Sequence, residues 1–76
     1  MPSNFTRVRW REGYDIDEVD AFIERLAATV EGRYVDTPVT AADIRNVSFT
    51  PTRLREGYAI DEVDTFLDQA ERGLSQ

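Results

Sequence analysis

The chain contains the same short unit twice. Shifted by 44 places, the run RWREGYDIDEVDAF at residues 9–22 falls on RLREGYAIDEVDTF at residues 53–66, with eleven of fourteen positions identical. The pair Phe5-Thr6 returns as Phe49-Thr50 at the same offset. Unrelated sequences would share about one identity over such a window, so the halves are copies of one unit. Any fold for this chain has to seat that unit twice.

Each copy carries the same local instructions. An irregular arginine-rich segment ends at Gly13 or Gly57, where the missing Cβ admits a positive φ or a close backbone approach. A helix follows at once. In the first copy Asp15 is suited to the N-cap, and Glu18 three residues on completes a capping box near the positive end of the helix dipole. Tyr14 and Val19 have the spacing of a hydrophobic staple. The second copy keeps Tyr58, Glu62 and Val63 but has Ala59 at the cap, which costs on the order of 1 kcal/mol locally.

Ile16, Val19, Phe22, Ile23, Leu26 and Val30 recur at spacings of three and four, so the first helix has one apolar stripe. Asp17, Asp20, Glu24 and Arg25 fill its other faces. Ile60, Val63, Phe66, Leu67, Ala70 and Leu74 repeat the stripe, with Asp61 and Asp64 outside it. Gly32 is suited to stop the first helix, and Gly73 to fray the second. Between them, Tyr34, Val35 and Val39 around Thr37-Pro38 suit an extended link or a short edge strand. Thr40 and Asp43 then cap a brief helical turn through Asn46, and Thr6 to Trp10 alternates like a short strand.

The expected fold is mostly α, a single small domain over residues 1–76. Residues 5–30 form the first loop-helix unit, 31–41 a linker and 42–74 the second unit. The two long helices face each other by their stripes in a pseudo-two-fold arrangement, with room for a short β-strand pair. At 76 residues such a domain buries only about 60% of its unfolded surface. No cysteine is present to staple it.

Charge narrows the function. Fifteen acids against nine arginines give −6, which argues against nucleic acid as a partner. Five of the nine arginines (Arg7, Arg9, Arg11, Arg53 and Arg55) lie in two short segments with most acids just downstream, so the molecule is electrically polarised. With no histidine or cysteine, and no nucleophile beside a base, no catalytic site, cofactor or small-molecule substrate is expected. The acids Asp15, Asp17, Glu18 and Asp20 mimic a calcium loop, but Val19 and Asp20 stand where its fifth ligand and its glycine belong, so no metal is expected. No apolar run is long enough to span a bilayer, and the amino terminus is too polar for a secretory signal. A cytoplasmic protein is the expectation.

Residues 42–49 (ADIRNVSF), followed by Arg55-Glu-Gly-Tyr58 and then EVDTFLD at 62–68, resemble the amino-terminal domain of the DivIVA family. That pattern runs as an Asp-Ile-x-Asn-x-x-Phe turn, an Arg-Gly-Tyr-like loop and a helix opening Glu-Val-Asp-x-Phe-Leu. The second unit follows it over nearly all of residues 42–70, and the first from Phe5 onward without the turn. Glu12 and Glu56, between arginine and glycine, depart from it, and no sustained heptads follow Leu74.

The resemblance implies a non-enzymatic, dimerising scaffold module of bacterial division or polar growth, attached to the inner face of the cell membrane. It implies that the loop before the helix inserts an apolar residue beside an arginine, here Trp10 between Arg9 and Arg11 and Leu54 between Arg53 and Arg55. Tryptophan favours the headgroup interface, and each basic residue near an anionic surface contributes about 1 kcal/mol. Three other roles compete for these loops: pairing of the arginines with Glu12, Asp17, Asp61 or their repeat equivalents, recognition of a protein partner through Trp10, and burial of Trp10 in the core. Without heptads the expected product is an attachment head rather than a lattice-builder; the alternative is a purely structural oligomerisation module, self-associating as a homodimer or within a larger assembly.

Overall fold

The computed structural model describes residues 5–74. Three helices and four short strands follow in the order β1 (Arg7–Val8), β2 (Gly13–Tyr14), α1 (Ile16–Val30), α2 (Ala41–Asn46), β3 (Pro51–Thr52), β4 (Gly57–Ala59) and α3 (Ile60–Leu74). The expected strand pair is thus a four-stranded antiparallel sheet, ordered β1-β4-β2-β3. Of the expected strand from Thr6 to Trp10, only Arg7–Val8 pairs. The order interleaves the two units: β4 lies between β1 and β2, and β2 lies between β4 and β3. Tyr14 pairs with Tyr58 at the centre, and on either side Arg7 pairs with Tyr58 and Tyr14 with Pro51.

The caps explain where the helices start and stop. Asp15 accepts from the Glu18 amide at 3.0 Å and opens α1. At the far end Gly32, at φ 76°, lets its own amide reach Thr29 O (3.2 Å) and the Arg33 amide reach Ala28 O (2.9 Å), a Schellman closure. Thr40 and Asp43 form both halves of a capping box, at 3.0 and 3.1 Å, and start α2. α3 runs through Gly73 to Leu74 rather than fraying at the glycine.

The capping box expected at Glu18 is only half formed, because the other unit takes its second half. The Asp15 amide donates to Thr50 O at 2.9 Å. The Glu18 carboxylate, left free, accepts from the Thr50 amide and hydroxyl, both at 2.8 Å. Forty-four residues away the pattern recurs: the Ala59 amide donates to Thr6 O at 2.8 Å, and Glu62 accepts from the Thr6 amide at 2.7 Å. Each Phe-Thr arm is therefore latched to the helix start of the opposite unit.

The core lies beneath the sheet, where α1 contributes Val19, Phe22, Ile23 and Leu26 and α3 contributes Val63 and Leu67. Ile44 of α2 and Val39 of the linker complete it. Val30, expected in the stripe, is 58% exposed. No strand forms in residues 33–39; Arg25 donates to Thr37 O and the Val39 amide to Thr29 Oγ1, both at 3.0 Å, so the linker is tied to α1 by its side chains.

Gly13 and Gly57 serve close approach, not positive φ. A Cβ on Gly13 would lie 2.9 Å from Tyr58 O; on Gly57 it would run into Thr52 Oγ1 and come within 2.8 Å of Tyr14 O. Thr52 itself is 1% exposed, and its hydroxyl has no hydrogen-bond partner among the described residues. The repeat places Val8 at the equivalent position. A buried unsatisfied hydroxyl costs about 1–3 kcal/mol. Thr52→Val is therefore expected to stabilise the fold by about 1–2 kcal/mol, raising the melting temperature by about 5 °C in a calorimetric scan.

Candidate functional site: the paired loop tips

The sheet order dictates where the arginine loops go. To reach β2 from β1 the chain must pass β4, and to reach β4 from β3 it must pass β2. Residues 9–12 and 53–56 make these two passages and come together in a shallow hollow lined by Trp10, Arg11, Glu12, Arg53 and Leu54. Trp10 is 85% exposed and Leu54 83%, so the burial of Trp10 in the core is overturned. Two large apolar side chains, one from each unit, stand beside each other in water.

Leu54 is also the one described non-glycine residue with a positive φ, at 63°. That conformation costs an L-residue about 1–2 kcal/mol. Strain of this kind on an exposed residue is compensated by the surrounding structure and is common where a side chain must be presented to a partner.

The arginines divide unequally. Arg53 lies 3.6 Å from Glu12, Arg55 donates to Asp15 at 3.2 Å, and Arg7 pairs with Glu56 at 3.2 Å. All three pairs join opposite units. They involve Glu12 and its repeat equivalent Glu56, as expected, and Asp15 in place of Asp17 or Asp61. The Asp15 carboxyl is held below its ordinary range, first by the Glu18 amide and then by Arg55. Arg9 and Arg11 make no ion pair or hydrogen bond among the described residues.

The remaining repeated residues build the platform under the tips. Tyr14 OH donates to Asp64 at 2.9 Å and Tyr58 OH to Asp20 at 2.7 Å, so the hydroxyl of each staple tyrosine bonds across to the other unit. Burial, and then Asp64, raise the Tyr14 hydroxyl above its ordinary pKa. Tyr14 meets Phe49 at 5.3 Å and Phe22 meets Phe49 at 5.9 Å; Phe5 sits against Tyr58 at 5.4 Å and Phe66 at 5.6 Å. Val19 and Val63 are fully buried beneath. Of the acids that mimic a calcium loop, Asp15, Glu18 and Asp20 are engaged by Arg55, Thr50 and Tyr58. No group of three metal-binding side chains occurs among the described residues.

Sequence reasoning missed the two latching threonines and Arg7. The threonines did leave a signal, because Phe-Thr recurs outside the long identity block. No helix among the described residues is long and apolar enough to cross a membrane. No family model, curated protein or solved structure matches the chain.

Leu54→Gly removes both the strain and the apolar tip. It is expected to stabilise the fold by about 1 kcal/mol in urea denaturation; a loss of stability would show that the Leu54 side chain supports the fold.

Proposed function

We propose that this protein is a non-enzymatic attachment module whose paired tips, Trp10 and Leu54, enter the headgroup region of an anionic membrane. The observation that carries the reading is the juxtaposition of two strongly exposed apolar side chains from separate loops, one of them held at a strained φ and each flanked in sequence by two arginines. The resemblance of residues 42–70 to DivIVA domains supports an adaptor role in bacterial division or polar growth, with a protein partner brought to the inner face of the cell membrane. We further propose that the units are related by a pseudo-two-fold axis through the Tyr14-Tyr58 pair, the equivalent within one chain of a two-chain dimer. Recurrence at the 44-residue offset of the Glu-Thr latch, the Tyr-Asp bond and the phenylalanine contacts supports it.

Burying a large apolar side chain is worth about 1.5–3 kcal/mol, so the two tips together set binding. Cosedimentation with anionic and with neutral vesicles tests this. The native chain is expected to pellet with the anionic vesicles at low salt, and Trp10→Ala combined with Leu54→Ala to lower binding at least about tenfold. A native chain left in the supernatant ends the reading.

A second reading, an oligomerisation module, is favoured by one feature at the other end of the long helices. Leu26 and Val30 of α1 and Phe66, Ala70 and Leu74 of α3 line an open apolar groove. A second copy of the chain laid in it would cover Val30. Light scattering across a dilution series is expected to show a concentration-dependent dimer on this reading; a monomer throughout removes it.

A further inference from the structure

We infer that the two loops are not equivalent: the first unit supplies the charge that meets the phosphates, through Arg9 and Arg11, while Arg53 and Arg55 are paired with acids of the first unit. The inference rests on the membrane-attachment reading above and assigns its anionic contact to particular guanidinium groups.

The asymmetry follows from single changes between the copies. Arg11 and Arg55 occupy the same repeat position. Arg55 is held by Asp15 at 3.2 Å, a carboxylate only 18% exposed and fixed in turn by capping α1. The residue equivalent to Asp15 is Ala59, so Arg11 lacks that acid, and it makes no ion pair among the described residues. Arg9 and Arg53 form the other equivalent pair. Arg53 lies near Glu12, whereas Glu56, the acid that would answer Arg9, is bonded by Arg7. Arg7 in turn has no counterpart, because Pro51 stands at its place in the second unit.

Among the described residues, two unpaired guanidinium groups therefore flank Trp10, and two paired ones flank Leu54. A planar guanidinium with free donors forms bidentate hydrogen bonds to phosphate oxygens. One already engaged by a carboxylate must first lose that partner, and its charge is locally cancelled. Trp10 supplies the interfacial ring between the two free groups. The partner this half of the tip fits is a lipid surface rich in phosphate headgroups with net negative charge.

Because the copies are so alike, the test is a pair of identical substitutions at one repeat position. Arg11→Gln and Arg55→Gln change net charge equally, so any difference in binding reports the local pairing. Partition onto anionic vesicles at low salt is expected to fall about fivefold for Arg11→Gln and less than about twofold for Arg55→Gln. Asp15→Asn keeps a good helix cap and frees Arg55, so it is expected to raise partition by about fivefold. Asp36→Asn, the same charge change in the linker, should raise it by less than about twofold. Equal losses for Arg11→Gln and Arg55→Gln, or no loss for Arg11→Gln, overturn the inference while leaving membrane attachment standing. A native chain that binds neither kind of vesicle overturns both.

Discussion

Pairing of strands between opposite units is the constraint on which the rest of this small fold depends. Strands of two or three residues have no stability of their own, and here each outer strand is held by the inner strand of the other copy. The Phe-Thr arm before each outer strand is fixed at both ends of its threonine: the carbonyl receives the amide at the opposite helix start, and the amide is held by the glutamate one turn in. Gly13 and Gly57 are the spacing that allows this, since a side chain at either would strike the neighbouring strand. Once the strands are exchanged, the connecting loops have to pass one another, and their tips are forced together at one place on the surface. The exposed Trp10-Leu54 pair is thus a consequence of topology, not of local sequence.

That difference marks what could be read in advance. Elements governed by neighbours in sequence were legible: the Asp15 cap, the Schellman stop at Gly32 and the Thr40-Asp43 box all act within a few residues of themselves. The Glu18 carboxylate and the Tyr14 hydroxyl bond outside their own unit, whereas a capping box and a staple are the local uses of those residues. Their actual partners, Thr50 and Asp64, lie 32 and 50 residues away. No periodicity carries that information. The repeat did hold it in a weak form: two residues as ordinary as Phe-Thr recurring at the common offset have no use within a unit, and their use is across units. The strain at Leu54 had no signal, since its counterpart Trp10 has an ordinary φ.

The tips combine a cost with a presentation. Leu54 leaves water-repelling surface exposed on a strained backbone, and neither property helps the chain fold. Tyr58, its hydroxyl on Asp20 and its ring on Phe5, and the latch at Glu62 supply the rigidity beneath that such a conformation needs. A small domain with a modest core has little stability in reserve. Keeping two large apolar residues at the surface is then informative about their use, in a way that a single exposed leucine on a helix would not be.

Fusing the two units in one chain changes what the tips can become. In a pair of separate identical chains every residue appears twice, so a carboxylate that quenches one arginine loop quenches the other as well. Within one chain each copy varies alone. Asp15 opposes Ala59, Arg7 opposes Pro51 and Trp10 opposes Leu54. The first two differences act on the same loop: Ala59 withholds an acid from Arg11, and Arg7 takes the acid that Arg9 would have. The third puts the tryptophan on that loop. Three independent differences converging on residues 9–11 give the tip a charged, aromatic half and a neutralised, aliphatic half, a polarity that two identical chains related by a true two-fold axis could not possess.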